Sequence, residues 1–257
     1  MRKTGRQSIS WAAAALILFA AGHARADAVA SQASAPTSTV ADEITSILND
    51  PDSLVGTLAH DVPELRSAME TRLRDAAEAE GIIGLRDEAF RIGWEYGQRY
   101  MARFADRADG QALLDFLTSL KAVVTKMDSV GSVQCYDSMF GAKPLNVASS
   151  GVTVADVKAV NDAIIAVIRT GAAETAQPAP KAPDALVSQV ATRAYAAAKG
   201  YESGWALLSD PQKAGNDHDK AAVCKDVSAL YGEILSLPKG QAIAVARVLF
   251  STKKAPQ

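Results

Sequence analysis

The chain has 257 residues, 48% of them apolar and 22% charged, with a formal net charge of −2. No positive excess is available for nonspecific binding to nucleic acid or an anionic membrane. The length allows one sizeable core or two small ones.

Residues 1–26 read as a secretory leader. Arg2, Lys3 and Arg6 form a basic start, Trp11–Gly22 is an apolar run, and Ala24-Arg25-Ala26 gives an A-x-A processing signature. The run is shorter than the ~20 residues a membrane span needs. Export into a Gram-negative periplasm is therefore expected, with cleavage after Ala26 and no integral membrane association. Removing 1–26 takes away Arg2, Lys3, Arg6 and Arg25 and no acid. That leaves 23 basic and 29 acidic residues, a mature net charge of −6. Cys135 and Cys224 are the only cysteines, and in an oxidising compartment an isolated pair is expected to form a disulfide. Closing a loop of that size stabilises by ~4–5 kcal/mol on chain-entropy grounds.

Residues 27–38 are small, polar and aperiodic, a disordered tail by composition. Thr39 and Asp42 have capping-box spacing and open a short helix that Asn49-Asp50-Pro51 ends. Asp50 is expected to cap a second short helix with Pro51 in its first turn. A third helix runs over 63–79 and stops at Gly81. Leu85–Ala108 follows, the best-marked amphipathic helix and the expected organiser of the core. Phe90, Trp94, Gly97, Met101 and Phe104 share one face at helical spacing. Arg91, Glu95, Arg99, Arg103 and Arg107 form a row on the other, where Glu95 can pair with arginines above and below. Two readings attach to that row, a solvated face and a binding strip. Gly93 and Gly97 flank Trp94 and cost about 1 kcal/mol each against alanine, so close approach by a neighbouring helix is expected there. Room for a ligand beside the indole is the alternative.

Asp109-Gly110 breaks the helix, and Gln111–Met127 forms the next, apolar along one side. Cys135 sits on a short helix after Ser129–Ser132, and Gly141–Gly151 is a loop. Thr153 and Asp156 repeat the capping-box spacing and open a helix to Gly171. Residues 172–183 carry three prolines among alanines, a semi-rigid linker. Asp184 is expected to cap a helix to Lys199. A short turn over 201–208, a loop over 210–217 and helices over 219–237 and 241–250 complete the chain. No segment has sustained β-alternation, so the fold class is all-α: an irregular bundle of about nine helices, stapled by one disulfide. Helical halves at 39–171 and 184–257 are expected to pack as one domain. A faint echo links them, since Leu120, Val124, Met127, Val133 and Phe140 recur as Leu230, Ile234, Leu237, Ile243 and Phe250.

Phosphate loops, H-E-x-x-H and zinc-spaced cysteines are absent from the sequence, so no metal or cofactor is expected. His218 between Asp217 and Asp219 reads as part of a solvated helix start, and His60 beside Asp61 as a loop residue. Ser236-Leu237-Pro238-Lys239 and Tyr195-Ala196-Ala197-Ala198-Lys199 match catalytic S-x-x-K and Y-x-x-x-K patterns without their accompanying elements. Tyr201-Glu202-Ser203-Gly204-Trp205 is similar to the E-S-G-[FW] of lysozyme-like lytic transglycosylases. There a glutamate closing an apolar helix acts as acid and base on peptidoglycan. The resemblance implies a catalytic role for Glu202, although LSDPQKAGND replaces that family's downstream G-x-x-G-L-x-Q.

The reading that combines these features is an exported, non-catalytic protein acting by protein–protein interaction: an adaptor, a chaperone-like factor or an inhibitor. Its partner would be another envelope or secreted protein, and a basic one would be steered by the acidic surface. Trp94, Arg91, Arg99, Arg103 and Trp205 are the candidate binding surface. The alternatives are a cell-wall glycan-cleaving enzyme using Glu202 and a small-molecule carrier with a pocket beside Trp94 or Trp205.

Overall fold

The computed structural model describes residues 39–140 and 147–251, with the side chains of Trp94, Val147 and Ala148 outside that description. The leader, the 27–38 tail and most of the expected loop around Pro144 also lie outside it. Among the described residues the structure is helical, without a strand. The helices are α1 (Val40–Asn49), α2 (Leu54–Asp61), α3 (Arg66–Phe104), α4 (Gly110–Val130), α5 (Ser132–Phe140) and α6 (Val147–Ser150). After these come α7 (Val154–Ala172), α8 (Asp184–Ala197), α9 (Glu202–Leu207), α10 (Asp217–Leu235) and α11 (Lys239–Phe250). Single 3-10 turns stand at Pro63–Leu65 and Pro211–Lys213.

Local chemistry sets most of the helix starts. Thr39–Asp42 and Thr153–Asp156 both close capping boxes, each side chain bonding the other residue's backbone N–H. Asp109 accepts from Gln111 N at 2.8 Å and Ala112 N at 3.2 Å, so the break before α4 is also its cap. Two expected caps differ. Ser53, not Asp50, caps α2 by accepting from Gly56 N at 2.9 Å; Asp50 instead turns the chain by accepting from Asp52 N. Pro183 occupies the cap position of α8, which places Asp184 inside the first turn, where its charge favours the helix dipole. His60 lies in the last turn of α2 rather than in a loop.

α3 is two helices in one hydrogen-bonded run. Gly81 sits at φ 67°, ψ −154°, a conformation open to glycine and strained for other residues. The chain folds back there. A straight helix would hold residues 72 and 95 roughly 35 Å apart, yet Arg72 Nη1 donates to Glu95 at 2.9 Å and Arg72 Nε to Glu88 at 2.7 Å. The expected helices on either side of Gly81 are therefore the arms of a hairpin, tied by one arginine. Glu88 is buried, and Arg91 Nη2 also reaches it at 2.6 Å.

The core is organised around α4 rather than around the second arm of α3. The 82–104 arm belongs to one side of the molecule, where α3 packs on α1, α2 and α7. α4 is covered on several sides at once, by α5, α7, α10 and α11. Phe116, Leu117, Leu120, Val124 and Met127 are wholly buried, each worth ~1.5–3 kcal/mol of apolar burial. Phe116 meets Phe250 of α11 edge-on with ring centroids 4.9 Å apart. One contiguous apolar cluster runs from Ile44 to Phe250.

Several connections tie the first half of the chain to the second, among them the following. Cys135 on α5 is bonded to Cys224 on α10, 89 residues away, with a Cα–Cα distance of 6.1 Å. Residues 173–183 lie against the helices, Ala179 N donating to Asp106 O at 3.0 Å and Ala182 N to Ala244 O at 3.3 Å. Arg247 of α11 donates from Nη2 to Ala108 O at 2.8 Å.

Candidate functional site

The sequence-derived surface residues fall on two separate faces. Arg91, Arg99 and Arg103 project from the second arm of α3, whereas Trp205 and Glu202 belong to α9, which packs on α10. Trp94 shares the α3 arm, and its side chain lies outside the described residues.

On the α3 arm the buried positions include Leu85, Glu88, Ile92, Tyr100, Met101 and Phe104. The apolar face is thus turned from the expected one, and Phe90 lies outside it at 41% exposure. Ile83, one heptad earlier on the same side, is 74% exposed. Gly93 and Gly97 pack as expected: a Cβ at Gly93 would stand 3.3 Å from Leu54 Cβ and 3.4 Å from Val55 Cγ2. At Gly97 it would stand 3.4 Å from Leu54 Cδ1. Missing side chains let α2 lie directly on this arm. Glu95 pairs with Arg72 across the hairpin rather than within its own row. Arg103 pairs with Glu64 at 3.3 Å and lies over the rings of Tyr100 and Phe104 at 5.3 and 5.5 Å. Arg107 covers the same Phe104 ring at 4.8 Å. Arg99 is exposed. The face therefore combines two exposed apolar side chains with partly engaged arginines.

The α9 face is built differently. Gly200, at φ 89°, ends the turn after α8 and delivers the chain into α9. Glu202 is exposed at the first position of that helix, and its Oε1 accepts from Gly200 N at 3.1 Å. That bond, then one from its own backbone, holds its carboxyl below the usual carboxylate range. A glycosidic proton donor needs the opposite shift. Tyr201 stacks on His218 at 5.8 Å, and Trp205 meets Tyr195 edge-on at 6.2 Å.

The residue that sequence reasoning passed over is Asp226, beneath α9. It is wholly buried, and neither carboxyl oxygen has a hydrogen-bond partner. Burial, and after it the charge of Glu202, pushes its carboxyl up to about 7. Gly204 makes the arrangement sterically feasible: a Cβ there would stand 2.5 Å from Asp226 Oδ2 and 2.6 Å from Ala222 O. Only the glycine of the E-S-G-W stretch hints at this contact in the sequence.

Cavities among the described residues include a small void and an open groove. A void of about 10 Å³ among Val187, Val190, Leu230, Ile234, Val245 and Leu249 is no larger than one water. An open groove of about 430 Å³ runs between α1 and the first arm of α3, floored by Ile44, Leu48 and Ala77 and edged by Arg66, Glu70 and Arg74. Trp205 lines neither. No group of three or more acidic, histidine or cysteine side chains is placed to hold a metal among the described residues. No described helix is long and apolar enough to cross a membrane.

No protein-family model matches the chain, and no curated protein or solved structure is significantly similar to it.

Proposed function

We propose that the mature chain, beginning at Asp27, is a periplasmic protein-binding protein that works without catalysis, as an adaptor, chaperone-like factor or inhibitor. The observation that carries this reading is the outward side of the 82–104 arm. Ile83 and Phe90 are exposed there beside arginines held by ion pairs. Large apolar side chains bordered by arginine are the composition of interface centres. The arm is braced from behind, through Glu88 and Arg72, and by the close contact of Gly93 and Gly97 with α2. A braced helix loses little conformational freedom when a partner docks. The partner is another envelope or secreted protein. The mature net charge of −6 steers a basic one at long range, while the local arginines meet carboxylates at the contact.

Affinity capture of mature 27–257 from periplasm, with crosslinking, tests this reading. The expected result is one stoichiometric partner that Phe90→Asp releases at least tenfold. Capture of nothing after crosslinking, or of a partner that Phe90→Asp and Ile83→Asp retain at wild-type levels, would overturn it.

A further inference from the structure

Asp226 and α9 together form a feature that the protein-binding reading does not use. α9 is a six-residue helix whose substantial contacts are with α10 and the Pro211–Lys213 turn. It lies directly over Asp226, with Gly204 as the point of approach. A left-handed glycine, Gly200, stands at its entry, and Asp210-Pro211 at its exit. Moving this segment away from α10 would uncover the carboxyl at that point.

The charges around Asp226 do nothing to neutralise it. On α4, Asp128 is taken by Lys225 at 2.6 Å; on α5, Asp137 is taken by Lys220 at 3.1 Å. On α11, Arg247 donates to Ala108 O. Arg193 and Lys199, on and just after α8, are exposed. Glu202 on α9 is the neighbour whose charge acts on Asp226, and it has the same sign. An ionised Asp226 under a seated α9 would be a buried charge without solvent, donor or cation. A protonated Asp226 carries no such cost.

We propose that α9 is a proton-linked latch, seated on α10 while Asp226 is protonated and lifted when Asp226 ionises. Lifting exposes the carboxylate and carries Trp205 away from Tyr195. The latch works in the neutral range, where burial and Glu202 place the acid, and it is independent of the α3 face.

Hydrogen exchange of mature 27–257, read by mass spectrometry and corrected for intrinsic rates, tests it between pH 5.5 and 8.5. Protection over 201–208 is expected to fall about tenfold per pH unit as pH rises to about 7 and to level off above it, the bend marking the midpoint of the Asp226 titration, with α4 protection holding steady. Asp226→Asn should flatten the profile. His218→Gln, which removes the titratable ring stacked on Tyr201, should keep it. Glu202→Gln should move the midpoint to lower pH by removing the like charge. A flat wild-type profile, or a wild-type loss of protection that survives Asp226→Asn, overturns the proposal. Should Asp226→Asn fail to fold, the exposed substitution Glu202→Gln decides, and an unmoved midpoint there overturns it.

Discussion

Two aspartates show how far the surroundings of one residue type can diverge. Asp156 closes the α7 capping box and accepts both bonds from Lys126 Nζ at 2.7 Å. Burial works against its charge, but those bonds and the ones from Thr153 hold its carboxyl below the ordinary range. Its stabilising contribution is present above the unfolded-state value and is lost as pH falls through the folded one. Asp226 has the opposite sign. Its folded value of about 7 lies above the unfolded value, so the fold is penalised increasingly as pH rises from about 4 to about 7 and by a constant amount above that. Chemical denaturation of Asp226→Asn should match wild type near pH 4 and be more stable by about 2–4 kcal/mol at pH 8. A constant difference across that range would contradict the assignment. The Asp156 arrangement was legible, because Thr153 and Asp156 stand at capping-box spacing. That of Asp226 was not: Lys225-Asp226 looks like a solvated pair on a helix, and its burial comes from an earlier segment, at Gly204, folding back over it.

At the scale of elements, α3 separates pairs that matter from pairs that do not. Arg72 holds buried Glu88 and links the two arms across Gly81. Burial opposes its charge, and hydrogen bonds with Glu95, Tyr96 and Glu88 overcome that, raising its pKa. Arg74, two residues on, pairs with Glu70 on an exposed surface. Thermal or denaturant unfolding should show Arg72→Ala costing about 2 kcal/mol, because Glu88 loses a partner in a buried place. Arg74→Ala should stay within about 0.5 kcal/mol. Equal losses would mean that the hairpin does not depend on the arginine. The break at Gly81, the capping boxes and the close packing at Gly93 and Gly97 were readable from local chemistry. The rotation that leaves Phe90 outside was not. The apolar stripe admits more than one burial face, and the choice falls to α2 and α7, whose positions no local pattern encodes.

For the molecule as a whole, the all-α class and the Cys135–Cys224 bridge followed from periodicity and cysteine count, whereas the central place of α4 did not. That helix is central because the chain returns to it from both ends through α7, α10 and α11, a property of topology. Reduction of the disulfide should lower unfolding free energy by ~4–5 kcal/mol, measured as a fall in denaturant midpoint. An unchanged midpoint would mean that the reduced, unfolded chain keeps residual structure that already restricts it. The bridge also spans residues 173–183, the longest helix-free stretch among the described residues. A protease that cuts after Lys181 would therefore sever the peptide chain without freeing either piece. The nicked protein would run as one species on a non-reducing gel and as two once thiol is added. Chain continuity and molecular integrity are thus separate properties here, and damage at the junction would go unnoticed until the sulfurs part.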